Sequence, residues 1–352
     1  MIRVPAHVRS LVRTLAVCSV ASVVLASCAP ATTAKVITRV TGLPAISISV
    51  PLSIVACTTN NSCVTLGTSD LDVNPTSVGE YRSANGHWTV LTVPSADTST
   101  YVQAASCWSN GCLFVGSQSN GDLVWRYDAT SHSFTTEVGP TGASGIEVVS
   151  CYSSMTCAVF DDAKSGPRFL TTDDAGATWS TPVSVGVPSQ DTVTSLSCPS
   201  ALDCIASFLN ASNGIEVYVT SDGGATWKLR TDVSTVTWST LTSLNCVGKK
   251  CLGLADLHTG WRIERTDNFG RSWKKVASLP SSILDLACTS LQHCVVGGLT
   301  NSLASTPWLA TVISGTVTTA KLTYVPSPIA DVACGSKVCA AIGVTTVMTL
   351  RP

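Results

Sequence analysis

The sequence carries its cysteines in short-range pairs that repeat along most of the chain. Fourteen of the sixteen cysteines pair in this way, with four or five residues between the members of each pair, and successive pairs begin 42 to 50 residues apart. The pairs are Cys57 and Cys63, Cys107 and Cys112, Cys151 and Cys157, Cys198 and Cys204, Cys246 and Cys251, Cys288 and Cys294, and Cys334 and Cys339. A period of this length is typical of solenoids and propellers, in which one supersecondary unit is copied many times.

The residues around each pair predict a β-hairpin. A short strand precedes the first cysteine, as at residues 194–197, a turn such as residues 109–111 separates the two cysteines, and another strand follows, as at residues 64–67. A third strand and a fourth, which begins near a Trp such as Trp227, complete the repeat. Four antiparallel strands per repeat, without helical periodicity, predict an all-β, seven-bladed β-propeller over residues 35–352.

The first 27 residues have the pattern of a signal peptide. Arg3, Arg9 and Arg13 form a cationic segment, and the apolar run that follows is too short to span a membrane. The run ends in Leu-Ala-Ser-Cys28, which resembles the lipobox of bacterial lipoproteins. The resemblance implies that Cys28 is lipidated, that residues 28–34 form a tether, and that the exported protein is anchored to the outer face of the cell membrane. An ordinary secretory signal, cut near Ser27, is the alternative.

Export and regular spacing together favour disulfides over metal binding by the paired cysteines. Seven local pairs in an exported chain predict one hairpin disulfide per blade. Zinc would also accept paired cysteines, but it needs two pairs that converge on one ion, and pairs spaced around a ring cannot converge. We therefore expect disulfides, with no metal site and no cofactor.

Three repeats carry a further motif between their third and fourth strands. Residues 172–179 read Thr-Asp-Asp-Ala-Gly-Ala-Thr-Trp, residues 220–227 read Thr-Ser-Asp-Gly-Gly-Ala-Thr-Trp, and residues 266–273 read Thr-Asp-Asn-Phe-Gly-Arg-Ser-Trp. The motif resembles the Asp-box, or BNR repeat, Ser/Thr-x-Asp-x-Gly-x-Thr/Ser-Trp. Its combination with the cysteine hairpins also resembles repeats of exported actinobacterial proteins.

The Asp-box resemblance implies a structural turn, placed on the side of the propeller opposite the usual ligand site. The Asp accepts backbone N–H groups, the Gly permits positive φ, and the Trp packs into the blade. The cysteine hairpins should share that side. Structural roles therefore go to Asp174, Asp222, Asn268, Trp179, Trp227 and Trp273.

The two ends of the chain predict how the ring closes. The last repeat reaches its third strand near residues 345–350 and lacks a fourth, while residues 35–40 are similar to the fourth strand of the preceding repeat at residues 321–325. We therefore predict that the N-terminal strand completes the last blade, which would remove a free sheet edge.

The resemblance also raises the question of catalysis, because Asp-box propellers include sialidases, xyloglucan-cleaving glycosidases and photosystem II assembly factors. The Phe/Tyr-Arg-Ile-Pro motif that holds the first substrate-binding arginine of sialidases is absent, so we expect no sialidase activity. Asp285 and Asp331 remain as candidate catalytic residues, since both lie three residues before the first cysteine of adjacent repeats, on the strand that should line the central channel. Such a pair could bind a cation or perform acid–base chemistry. The alternative is that channel water or backbone N–H groups satisfy the two carboxylates.

The loops between second and third strands should form the ligand-binding side. A mixture of acids and aromatic residues there suits a protein or carbohydrate, although solvated loop charges and a Trp packed between blades are the alternative. The candidate ligand-binding residues are Asp70, Asp72, Asp161, Asp162, Asp256, His258 and Trp261, and the same loops contain Asp122 and Lys164.

Charge excludes one class of partner. The formal net charge is −1, and removal of the signal peptide takes away three Arg and no acids. No run of Lys or Arg follows, so we expect no nucleic-acid binding. The sequence predicts a monomeric, non-enzymatic envelope lipoprotein that binds a protein or glycan, with a glycoside hydrolase that uses Asp285 and Asp331 as the alternative.

Overall fold

The computed structural model describes most of the chain from residue 52 onward. The described residues are 52–67, 79–82, 88–94, 100–119, 121–140, 142, 145–163, 165–230, 238–257, 259–279, 282–300, 306–320, 322, 328–343 and 347–350. Cys28, the predicted signal peptide and tether, and the predicted N-terminal strand lie outside them. No helix in the described part of the chain is long and apolar enough to cross a bilayer.

The regular elements of the described residues are β-strands, and they follow one another in groups of four. The first three groups are β1 (Leu52–Cys57), β2 (Cys63–Gly67), β3 (Gly79–Arg82), β4 (Trp88–Leu91); β5 (Tyr101–Cys107), β6 (Gly111–Gln118), β7 (Gly121–Asp128), β8 (Ser133–Thr136); and β9 (Ile146–Cys151), β10 (Cys157–Ala163), β11 (Gly166–Thr172), β12 (Val183–Ser184).

The remaining strands continue this pattern to the end of the described residues. They are β13 (Thr192–Ser197), β14 (Cys204–Leu209), β15 (Ile215–Thr220), β16 (Lys228–Leu229); β17 (Thr240–Val247), β18 (Lys250–Asp256), β19 (Trp261–Thr266), β20 (Lys274–Ser278); β21 (Ile283–Ser290), β22 (His293–Leu299), β23 (Pro307–Ile313), β24 (Thr316–Thr319); and β25 (Asp331–Cys334), β26 (Cys339–Ile342), β27 (Val347–Leu350).

Each group is one antiparallel sheet, which we call a blade and number from 1 to 6 in chain order, followed by a last sheet. Blades 1 to 6 have four strands each, whereas the last sheet, β25–β26–β27, has three. The prediction of seven four-stranded blades is therefore corrected to six within the described residues. The reason is that no described segment pairs with the outer edge of β27, and the strand predicted to do so lies outside the described residues.

Neighbouring sheets pack face to face around the ring, because the buried side chains of one sheet meet those of the next. Between blades 3 and 4, the ring of Phe160 lies 5.3 Å from that of Phe208 and 5.5 Å from that of Trp227. The last sheet packs on blade 1, where Ile342 and Val347 belong to one buried cluster with residues of β1. Buried side chains of this size each contribute about 1.5–3 kcal/mol, so the contact stabilises the fold. Because it joins the last sheet to blade 1, it also closes the ring.

The seven hairpin disulfides are confirmed. Each of the seven predicted cysteine pairs is bonded, with Cα atoms 3.9 to 4.1 Å apart. In six of the seven pairs the bonded cysteines are direct partners across the first and second strands of their sheets, as Cys57 and Cys63 are in β1 and β2, and Cys198 directly follows β13. The disulfides therefore lock the register of the innermost hairpins.

The antiparallel order gives the ring two distinct sides. On one side, which we call the hairpin face, lie the disulfide hairpins and the turns between third and fourth strands. On the opposite side, the loop face, the second and third strands are joined. Turn and hairpin are hydrogen-bonded within five successive blades, through N–H donors of Ala129, Ala175, Gly223, Phe269 and Ser314 to carbonyls of Asn110, Met155, Leu202, Lys249 and Gln292. The disulfide hairpins and the motif turns therefore lie on the same side of the ring, as the sequence predicts.

Candidate functional site

The two candidate catalytic carboxylates lie on adjacent inner strands and bond to the sheets beside them. Asp285 accepts a hydrogen bond from the N–H of Val332 at 3.2 Å and another from the hydroxyl of Ser243 at 2.5 Å. Asp331 accepts the N–H of Val55 at 2.8 Å. Both residues are only 8% exposed. The carboxylates thus face backbone donors of neighbouring sheets.

A Ser occupies the same position in blade 4 and makes the equivalent contact. The hydroxyl of Ser195 accepts the N–H of Leu244, in blade 5, at 2.9 Å. In all three cases the residue three places before the first cysteine accepts a hydrogen bond from the residue two places before the first cysteine of the next sheet around the ring. Because a neutral Ser serves as well as an Asp, the position provides an acceptor that links sheets. The contact from Asp331 to blade 1 makes this link across the chain ends.

The turns at residues 172–179 and 220–227 have the same hydrogen bonds. In the first, one oxygen of Asp174 accepts the N–H of Thr178 at 2.8 Å and the other accepts its hydroxyl at 2.6 Å. The hydroxyl of Thr172 donates to Asp174 and accepts the N–H of Gly176 at 2.9 Å. In the second, the hydroxyl and N–H of Thr226 lower the pKa of Asp222 to about 2. Each carboxylate is bound within its own turn.

The third turn retains this arrangement with an amide in place of the carboxylate. The Asn268 oxygen accepts the N–H of Ser272 at 2.9 Å, and its NH2 group donates to the Ser272 hydroxyl at 2.8 Å. The Thr178 hydroxyl donates to the Asp174 carboxylate, whereas the Ser272 hydroxyl accepts from the Asn268 amide, and a hydroxyl can do either. The substitution therefore preserves the turn without its charge.

The Gly and Trp of each turn press against the preceding blade. A Cβ on Gly224 would lie 2.1 Å from Cε1 of Phe169, and the Trp227 ring packs 5.1 Å from the same Phe. Trp179 donates from Nε1 to the carbonyl of Val138 in blade 2 at 2.9 Å, and Trp273 packs against the core cluster that contains Ile205 and Val217 of blade 4. These contacts bind one blade to the next.

The loop face carries a buried cluster of charges between blades 2 and 3. Arg168 in β11 binds Asp161 in β10 through two parallel contacts, from Nε at 2.9 Å and from an amino group at 2.5 Å. The Asp161 side chain is fully buried, and it is paired with Arg168 across the two strands. Asp161 was predicted to contact a ligand, but its carboxylate is enclosed and occupied by Arg168.

Asp122 in β7 completes this cluster from blade 2. Both of its oxygens are buried and lack a well-formed hydrogen bond from a described residue. Burial first, and then the charge of Asp161, raise the pKa of Asp122 to about 7, although Arg168 and the N–H of Gly145 lower it in part. A carboxyl with such a pKa changes its charge near neutral pH.

The other predicted ligand-binding residues are dispersed along the loop face. Asp256 and Trp261 are paired where β18 and β19 are joined, but the Trp261 side chain is half-buried against the core between blades 5 and 6. Asp162 lies in β10 opposite Pro167. Asp70, Asp72 and His258 lie outside the described residues, and the four that the structure describes do not come together at one point.

A second acidic cluster, which the sequence interpretation missed, lies at the same face of blade 4. Asp191 directly precedes β13 and is 5% exposed. Glu216 in β15 accepts the Tyr218 hydroxyl at 3.0 Å and the side-chain NH2 of Asn210 at 3.2 Å. Burial and the bond to Glu216 raise the pKa of Tyr218 to about 12. No three His, Cys, Asp or Glu side chains converge on one point anywhere in the described ranges.

Comparison with known proteins identifies the fold but no family. No protein-family model matches the chain, and no curated protein matches it. YCF48 bound to D1 peptide superposes with a TM-score of 0.61 at 13% identity, covering 92% of this chain and 97% of that one. The fold is that of a β-propeller.

Two further structures show how widely this propeller shape is used. The GH74 xyloglucanase from Xanthomonas campestris gives a TM-score of 0.60 at 11% identity, covering 86% of this chain and 52% of the enzyme. The RRP9 WD40 repeats give a TM-score of 0.60 at 10% identity, covering 86% of this chain and 94% of that one. At such identities the likeness establishes the fold alone, because one fold can hold many different sites.

Proposed function

We propose that this propeller is a non-enzymatic binding protein of the cell envelope and that it takes a protein ligand on its loop face. The observation that carries the proposal is the use made of Asp285 and Asp331. Both carboxylates accept backbone N–H groups of neighbouring sheets, as the neutral Ser195 does. Residues that hold the ring together in this way are not poised for proton transfer to a substrate.

The choice of the loop face follows from what occupies the other side. On the hairpin face, the described motif turns bind their own carboxylates, and the disulfides and Trp side chains serve the packing of blades. The loop face carries the connections between second and third strands, and binding residues are often placed on loops that a rigid scaffold supports. A protein ligand is favoured over a glycan because YCF48, a propeller of similar shape, is bound to a peptide.

The proposal includes a closed ring of seven blades and membrane attachment. The last sheet packs on blade 1 with three strands, and residues 35–40 would add the fourth. The shared hydrogen-bond pattern of the motif turns supports assigning them to the Asp-box class. Lipidation of Cys28 would hold this monomeric propeller at the outer face of the membrane. Loss of acyl label in a Cys28→Ala variant tests the anchor.

Site-specific crosslinking tests the proposed ligand face. A photoreactive residue at Thr259, an exposed position in the loop between β18 and β19, should give a discrete protein adduct in intact envelopes. The same residue at Leu202, which is 59% exposed on the hairpin face, is the matched control and should give none. An adduct from Leu202 alone, or none from either position, would contradict the proposal.

A glycan-hydrolysis assay tests the alternative class. We expect no hydrolysis of envelope glycans or xyloglucan by the purified protein. Hydrolysis that disappears in both Asp285→Asn and Asp331→Asn, while each variant keeps its melting temperature, would replace the binding proposal with a glycosidase.

A further inference from the structure

Asp191 is a buried acid without an adequate internal partner. It is 5% exposed, and neither carboxylate oxygen receives a well-formed hydrogen bond from a described residue, although the Ala211 N–H lies near enough to lower its pKa in part. An unpaired buried carboxylate is strongly unfavourable. A compensating positive charge, or a proton, must therefore accompany Asp191.

The strand register brings Glu216 to the same place. Val193 is paired with Phe208, and Phe208 with Glu216, so these side chains share one face of blade 4. Asp191 directly precedes β13, and its charge acts on both Glu216 and Tyr218, so it lies near them at the same end of the blade. Phe208 packs against Phe160 of blade 3, so this face of blade 4, with Glu216 on it, is the one that adjoins blade 3.

The hydrogen-bond donors that the structure describes at Glu216 are neutral. Glu216 binds the Tyr218 hydroxyl and the Asn210 amide, and each of its oxygens keeps a second lone pair. Burial first, and then the charge of Glu216, raise the pKa of Asp191. Asp161, in blade 3, is instead neutralised by a bidentate Arg168. Among the described residues, no Lys or Arg side chain forms such a pair with Asp191 or Glu216.

We propose that the junction of blades 3 and 4 binds a divalent cation of the Ca²⁺ class, with Asp191 and Glu216 as its charged ligands. Ca²⁺ prefers oxygen ligands, accepts irregular geometry and completes its shell with carbonyls and water, whereas Mg²⁺ demands a near-ideal octahedron. Two carboxylates indicate a weak site, with a Kd on the order of 10⁻⁴ to 10⁻³ M. The inference is independent of the protein ligand proposed above.

Terbium luminescence tests the site on the complete propeller after treatment with a chelator. Tyr218, bonded to Glu216, lies close enough to sensitise a bound Tb³⁺ ion. We expect saturable luminescence that CaCl2 displaces and MgCl2 displaces poorly. Asp191→Asn and Glu216→Gln should each weaken Tb³⁺ binding by about tenfold or more. Asp122→Asn, which removes a buried carboxylate elsewhere on the loop face, is the matched control and should leave binding unchanged.

Thermal unfolding gives a second readout that does not depend on luminescence. CaCl2 should raise the melting temperature of the parent and of Asp122→Asn, because a ligand that binds only the folded state stabilises it, and should leave Asp191→Asn unmoved. Absence of saturable binding, or equal binding by Asp191→Asn, overturns the proposal. Lys164, between β10 and β11 in the sequence, could instead supply the positive charge. Cation binding that appears only in Lys164→Ala overturns the proposal, because the Lys164 ammonium would then be what compensates Asp191 in the parent. Gly166, close in sequence to Lys164, packs against Ser189, which is close in sequence to Asp191.

Discussion

Replacing Asp122 with Asn should make the propeller more stable at alkaline pH and change little at acidic pH. The folded protein holds the pKa of Asp122 at about 7, whereas an unfolded chain leaves an Asp near 3.9. The folded state therefore binds the proton more tightly. The stabilisation that this bound proton provides is complete below about pH 4 and is lost as the pH rises through about 7. Asn resembles the neutral acid at every pH and so avoids this loss.

The size of the effect follows from the difference between the two pKa values. Three units correspond to about 4 kcal/mol, and the partial access of solvent to Asp122 reduces the expected value to about 2 kcal/mol. We expect Asp122→Asn to exceed the parent by that amount at pH 8, which corresponds to roughly 4 °C in melting temperature, and to match the parent at pH 4.

The assay is chemical and thermal unfolding at both pH values with the disulfides intact. Asp173→Asn, which removes an exposed acid from a turn on the hairpin face, is the control for the loss of a carboxylate outside the buried cluster. If Asp122→Asn and the parent lose the same stability between pH 4 and pH 8, Asp122 does not hold its proton in the fold and the reasoning is refuted.

Three further predictions concern stability. Gly224→Ala should destabilise by about 3 kcal/mol or more, because the new Cβ meets an aromatic ring at 2.1 Å and φ is +92°. Gly186→Ala, with φ at +83° and open space, should lose only about 1 kcal/mol; equal losses in urea unfolding would contradict the contact. Asp331→Ala should lower the melting temperature more than Asp331→Asn, which keeps an acceptor for the amide of blade 1; identical melting would show that this bond does not help to close the ring. Replacing Cys198 and Cys204 together with Ser should lose about 2 kcal/mol, as expected for a short closed loop, and unchanged denaturant midpoints would contradict this.

Local geometry explains why much of the architecture can be predicted from the sequence. A disulfide between Cys151 and Cys157 requires only a turn between two paired strands, and the residues between them supply it. The turn at Asp174 likewise takes its hydrogen bonds from residues within four positions. Such contacts form wherever the short segment occurs, so the repeated pattern was sufficient to predict a propeller with stapled hairpins.

The number of complete blades depended on contacts that no single repeat contains. The last sheet has three strands among the described residues, and the strand predicted to complete it, at residues 35–40, lies outside them. The sequence of one repeat determines which strands that repeat can form by itself. Which further segment pairs with the edge of its sheet depends on which distant parts of the chain the ring brings together.

The site residues show the same division more sharply. The sequence identified Asp285 and Asp331 as unusual, but only the ring shows that they face amides of the next sheet, and Val55 lies 276 residues from Asp331. It also placed Asp161 among exposed loop acids, whereas the fold buries it against Arg168. Asp191 gave no signal, because burial and the nearness of Glu216 are properties of packed sheets. The sequence by itself determined the repeating hairpins and turns, since those need only neighbouring residues. Tertiary structure decided which charges are buried and which meet, because the free energy of a charge depends on surroundings that other blades supply.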